Sequence, residues 1–177
     1  DDVEVIPARG GRNHLMATLH RLVTAPRAES GTVDLGAAIH RLGAYARRRG
    51  LVAVVSDFLE DPDTWAQPLR QVATRHTAIA VEIIDPRELS LTDVGLLTMV
   101  DPASGRTREV PTASRKLRAR YEAAAAEQRA ATAAAIRASG ADHLVLRTDR
   151  DWLLDVVRFV VDRRARVHAR RAGWGAR

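Results

Sequence analysis

Residues 51–58 read LVAVVSDF, and this stretch decides the fold. A short, uninterrupted apolar run closed by Ser56-Asp57 predicts a strand buried on both faces. Residues 77–84, TAIAVEII, repeat the pattern and end at Asp85-Pro86. Between the two runs, residues 62–74 read as a helix. Upstream, Leu35, Ala38, Ile39, Leu42 and Ala46 give residues 34–49 a helical apolar stripe, which Gly50 stops. Downstream, HLVLRT at 143–148 reads as a further strand. A long, Ala-rich helix over 113–139 precedes it, and a last helix comes after it. Asp149 can cap that last helix, where Trp152, Leu153, Val156, Val157, Val160 and Val161 recur at helical spacing. Buried strands alternating with helices predict an α/β fold of Rossmann-like type: a mainly parallel sheet, helices on both faces, right-handed crossovers. A β-hairpin insertion near 94–111 is expected from LLTMVDPASGRTREV, turning around Asp101-Pro102 and Gly105. At the N-terminus, Val3, Val5 and Ile6 predict a short strand closed by Pro7, and Asn13 can cap a helix running to Thr24.

Composition narrows the function classes. A chain of 177 residues with 46% apolar and 28% charged residues suits one domain with one core. It contains no cysteine, which excludes disulfides, thiolate catalysis and Cys-based zinc sites. No apolar run approaches the roughly 20 residues of a spanning helix. The opening DDVEVIPARG has neither a basic leader nor an apolar core, so no signal peptide is expected and a cytoplasmic location fits. The chain starts without Met, in a strand-like segment, and reads as part of something longer. The net charge is +6, and from Asp162 onward there are six Arg against one Asp. That concentration marks residues 165–177 as a basic C-terminal tail. Such a tail can bind nucleic acid, but with few aromatics and no nucleic-acid motif it reads as a solvated helix end whose arginines complement the dipole. Nucleic acid is therefore not an expected partner.

Parallel sheets bind ligands beyond the C-terminal ends of their strands. Three acids stand at predicted strand ends: Asp57, Asp85 and Asp149. Each also has a structural reading, because Asp is favoured in caps and turns.

Two stretches carry a resemblance. SGTVDLGAAIHRL at 30–42 looks like the threonine loop of the metal-ion-dependent adhesion site in von Willebrand factor A domains. LVAVVSDF looks like the strand that ends in the same site's second aspartate. The second half of the chain narrows the group. VEIIDPRELSLTDVGLLTMVDPASGRTREVPT, then LRARYEAAAAEQR, then GADHLVLRTDRDWLLDVVRFVVDRR resemble domain of unknown function 58 in order, over roughly residues 3–164. Thr92 departs from the resemblance, which has Pro there in many members. The resemblance implies residues 1–164 as an incomplete von Willebrand A-like domain lacking its N-terminal strands. It implies Thr32 and Asp57 as metal-site residues, with Mg²⁺ in the intact parent protein. The adhesion site's Asp-x-Ser-x-Ser loop is absent from the sequence, so tight metal binding by this chain is not expected. The resemblance further implies a non-enzymatic adaptor, partnered with a MoxR-type AAA+ ATPase in protein assembly or maturation. Asp85, Arg87 and Glu88 are the expected partner surface, beside Asp57.

Two other classes stand against that reading. SDFLEDP could hold a phosphotransfer aspartate of a Mg²⁺-dependent Rossmann-like enzyme. Yet Asp57 does not open an Asp-x-Asp at the end of its strand, no Gly-x4-Gly-Lys, Gly-x-Ser-x-Gly or His-Glu-x-x-His motif accompanies it, and the six histidines lack zinc-like spacing. Nucleic-acid binding through the basic tail is the other class. One structural expectation is separate from function. If the N-terminal strands are absent, residues 51–56 have an unpaired edge unless Val3–Ile6 fills it, and the chain self-associates there.

Overall fold

The computed structural model describes residues 4–26, 33–100 and 106–174. Eleven elements are assigned among them. They run α1 (Arg12–Thr24), α2 (Leu35–Tyr45), β1 (Leu51–Ser56), α3 (Pro62–Arg75), β2 (Thr77–Ile84), a 3-10 turn (Pro86–Glu88), β3 (Leu96–Val100), β4 (Thr107–Pro111), α4 (Arg115–Ser139), β5 (Asp142–Arg147) and α5 (Trp152–Trp174). The chain is a mixed α/β fold around a parallel three-stranded sheet ordered β1-β2-β5. The registers Leu51–Thr77 and Ile79–Asp142 align the strands so that all three C-terminal ends face one way. The expected hairpin is the antiparallel pair β3-β4, with Leu96 opposite Pro111. Its turn at Asp101–Gly105 lies outside the described residues.

Strand alternation explains the core. Val52 and Val54 of β1 and Ala78 and Ala80 of β2 point to one face. There they meet Leu35 and Ile39 of α2, Trp65, Leu69 and Val72 of α3, and Ile136 of α4. Helix α3 lies between α2 and α4. Gly36 lets α2 approach α3 closely, because a Cβ at that position would lie 2.3 Å from the Thr64 carbonyl oxygen. The caps are local and side-chain driven: Asp34 accepts from Ala37 N, Asp61 from Asp63 N, and Ser114 from Leu117 N. Gly140, at φ 82, ends α4 in the left-handed conformation.

Four expectations are corrected. Residues 4–10 form no strand; Glu4 pairs instead with Arg21 of α1 at 2.9 Å, and Val3 lies outside the described residues. A short segment interrupted by Pro7, with no strand beside it, gains nothing from extension. Second, β1 is buried on one face only, since Leu51 and Val55 are 65% and 63% exposed. The second sheet face is covered by α5, which packs on β5 and leaves the β1 side bare. Third, α2 stops at Tyr45, because Arg47, Arg48 and Arg49 are exposed and have no apolar face to bury. Fourth, the apolar stripe of the last helix is largely outside the core: Val156 is half-buried, while Trp152, Leu153, Val157, Val160 and Val161 are exposed. Helix α1 likewise has no buried residue. Helix α5 continues without a break through residue 164 to Trp174.

Candidate functional site

The three parallel strands deliver three loops to one end of the sheet. After β1, Asp57 Oδ1 accepts from Leu59 N at 3.3 Å, and Ser56 Oγ accepts from Phe58 N at 3.1 Å. These bonds bend the chain so sharply that Phe58 takes φ 53, a left-handed conformation costly for a bulky residue. Burial compensates. Phe58 is 1% exposed and meets Trp65 edge-on at 5.1 Å between ring centroids. Glu60 fastens the same loop to α2 and α3, accepting from Leu35 N through its side chain and from Trp65 Nε1 through its carbonyl. After β2, Asp85 Oδ1 accepts from Arg87 N at 3.0 Å and starts the 3-10 turn. Tyr121 of α4 donates to the Glu88 carbonyl at 2.8 Å and holds that turn against α4.

Between these loops, α4 and the hairpin lies a cavity of about 450 Å³. Leu59, Leu89, Met99, Tyr121 and Ala125 supply apolar lining. Asp57 and Glu88, both exposed, stand on its solvent side. The Glu88 carboxyl is held above the ordinary glutamate range, first by partial burial and then by the nearby carboxylates of Asp85 and Asp57. Buried Glu82 also lines the cavity. Its carboxylate meets His143 Nε2 at 2.7 Å, and Arg129 Nε lies 3.7 Å away. Gln128 donates to the Leu59 carbonyl and Thr132 to that of Phe58, so α4 braces the strained loop.

Of the residues singled out from sequence, Asp57, Asp85 and Glu88 come together at this end, with exposed Arg87 among them. Thr32 lies outside the described residues. Asp149 does not cap α5: it accepts from Arg147 Nε and Nη2, each at 2.9 Å, and this pairing draws its carboxyl below the usual range. The capping role falls to Asp151, which accepts from Leu153 N and Leu154 N. Among the described residues, no group of three or more His, Asp or Glu side chains could hold a metal ion. Asp57 alone does not compose a Mg²⁺ site, which needs several oxygen ligands.

Sequence reasoning missed the buried Glu82–His143 pair and the bracing side chains of Glu60, Tyr121, Gln128 and Arg129. One signal was present: an acid inside the apolar run TAIAVEII is expensive to bury unless a partner waits for it. The partners are far away in the chain and only the fold brings them near.

A parallel α/β sheet with an acid-rimmed cavity beyond its strand ends defines the structural class. The family whose description is "Protein of unknown function DUF58" matches residues 1–131, and the chain belongs to that family. It is 46% identical over 160 residues to uncharacterized proteins of Mycobacterium bovis (Mb1516) and Mycobacterium tuberculosis (Rv1480), covering 90% of this chain and 50% of each of theirs. An uncharacterized protein of Mycobacterium avium (MAV169) is 45% identical over the same share of this chain and 94% of its own length. The chain thus spans about half the length of the first two relatives. No solved structure matches significantly. Among the described residues, no helix is long and apolar enough to cross a membrane.

Proposed function

We propose that this chain is a protein-binding module of von Willebrand A-like type, acting without catalysis. Its working surface is the end of the sheet that carries Asp57, Asp85, Arg87 and Glu88. The observation that supports this is the 450 Å³ cavity, mainly apolar in lining with buried Glu82 at its inner wall and carboxylates at its rim, at the C-terminal strand ends. An apolar pocket with a charged rim suits a protruding side chain from a partner, with the rim selecting its charge. The partner proposed is a MoxR-type AAA+ ATPase, in a cytoplasmic assembly or maturation step. Thr32 and Asp57 are proposed as the remnant of an adhesion site, and no part of the reading depends on a bound metal.

The test is capture of a cognate ATPase by the intact parent protein, comparing wild type with an Asp85→Ala, Glu88→Ala variant. Capture should fall about ten-fold or more, the loss expected when central contacts are removed. Unchanged capture by a folded variant overturns the surface assignment. Mg²⁺-dependent phosphatase activity abolished by Asp57→Asn would overturn the non-enzymatic reading instead.

A further inference from the structure

The opposite end of the sheet has a different character. Segments that precede the parallel strands meet there. Arg47, Arg48 and Arg49 lead into β1, Arg75 leads into β2, and Arg137 closes α4 before β5. Helix α5 starts beside the C-terminal strand ends and runs back, so its second half reaches the same place. Arg163 meets Asp142, the first residue of β5, at 2.6 Å, and Arg166 lies 3.8 Å from the same carboxylate. Asp142 thus uses two arginines. The other five, Arg47, Arg48, Arg49, Arg75 and Arg137, are exposed, and among the described residues none has a side-chain hydrogen bond or ion pair.

Two clefts indent this end. One, of about 620 Å³ between α2 and α3, is lined by His40, Arg70, Gln71 and Arg75 among others. The second, of about 340 Å³, is lined by Arg137, Asp142 and Arg163 with Gly140. From these features we infer that the N-terminal strand end is a nucleic-acid-binding surface that holds the sugar-phosphate backbone without reading bases. Guanidinium groups match phosphate in geometry and stay charged at any working pH. Unpaired arginines cost nothing to recruit, since no internal ion pair has to break. Arg70 donates to the Ala138 carbonyl and Arg163 holds Asp142, which leaves Arg75 in the first cleft and Arg137 in the second to meet a phosphate of a strand, whereas a bilayer presents a flat face that cannot enter a cleft. Tyr45, 63% exposed, stands beside Arg47, and a single exposed aromatic there is too little for a base-specific platform. This surface lies away from Asp57, Asp85 and Glu88 and does not depend on the function proposed for them.

The experiment is fluorescence anisotropy of the whole chain with a labelled oligonucleotide of about 20 nucleotides, single-stranded and duplex, titrated with salt. Both forms should bind at about 50 mM salt, and affinity should drop steeply toward about 200 mM. Changing Arg47, Arg48 and Arg49 together to Gln should weaken binding about ten-fold or more and reduce the salt slope by about two to three. Arg137→Gln should do the same on a smaller scale. All four positions are exposed, and circular dichroism will confirm that the variants remain folded. Arg108→Gln with Arg120→Gln, in the hairpin and α4, should bind as wild type. Any of three results overturns the inference: no binding at low salt, loss in the hairpin variant but not the triple variant, or competition by polyglutamate as effective as unlabelled oligonucleotide.

Discussion

The two ends of the sheet differ in charge because of where loops fall along a parallel strand. The segments after β1 and β2 carry Asp57, Glu60, Asp61, Asp63, Asp85 and Glu88. The segments before β1, β2 and β5 carry Arg47, Arg48, Arg49, Arg75 and Arg137. Every parallel crossover returns the chain to the starting end. Segments leaving the strands therefore gather at one end, and segments entering them gather at the other. Net charge is a poor guide to such a domain. It hides a separation between an acid-rimmed cavity at one end and exposed arginines at the other. A chain without that sorting, such as an antiparallel meander, would mix the same residues.

The largest expected effect breaks the acidic end mechanically. Gly36→Ala places a methyl 2.3 Å from the Thr64 carbonyl, a backbone atom that cannot swing away. It should cost about 1–3 kcal/mol or more of stability and lower the melting temperature. Because Gly36 sits beside the loop that Glu60 ties down, hydrogen exchange should quicken after β1 before it quickens around Arg137. Uniform quickening would show that the two ends are one cooperative unit.

A smaller effect asks whether the flank between the ends is sticky. Among the described residues β1 pairs only with β2, and its outer face shows Leu51 and Val55. Unpaired apolar edges drive association. Light scattering at tens of micromolar should therefore detect self-association of this chain, reduced by Leu51→Lys with Val55→Lys at little cost to monomer stability. A monodisperse wild-type monomer would remove the flank as a third surface and sharpen the contrast between the ends.

The smallest effect concerns pH. Folding raises the Glu88 pKa, so the folded chain binds this proton more tightly than the unfolded one. Its contribution is fully present below the unfolded glutamate value and is lost as pH rises through the folded value. Above that, the ionised Glu88 is mildly unfavourable beside Asp85 and Asp57. Glu88→Gln should slightly raise thermal stability at neutral pH and have no benefit in acid. Stability lowered at neutral pH would mean that Glu88 is held by an attraction rather than strained by its neighbours.

Much of the fold was legible from residues. Continuous apolar runs gave β1 and β2, HLVLRT gave β5, a helical stripe gave α2, and the Asp-Pro and Gly signals framed the hairpin. Apolar content alone did not reveal which faces are covered. The sequence of β1 is as apolar as that of a central strand, yet among the described residues it pairs on one side only, and the stripe of α5 is as regular as that of a buried helix, yet most of it is exposed. Periodicity records which residues of one element share a side, and it carries no information on what lies opposite.

The candidate site divides in the same way. Asp57, Asp85 and Glu88 were legible because each comes within a few residues of a strand signal, and strand direction alone sends them to one end. Glu82–His143, 61 residues apart, was not legible. Nor was the convergence of Arg47–Arg49, Arg75, Arg137 and Arg163. In the sequence, the basic charge reads as a property of the C-terminal tail. By itself the sequence determined most of the elements and the acids at the strand ends, because these depend on neighbours within a few residues, whereas the expected caps at Asn13 and Asp149 did not form. Strand order, the bare face of β1, the partner of Glu82 and the basic end were decided by tertiary structure alone. Each depends on which distant segments the sheet places about 5–10 Å apart, a spacing set by hydrogen-bonded strands and packed layers.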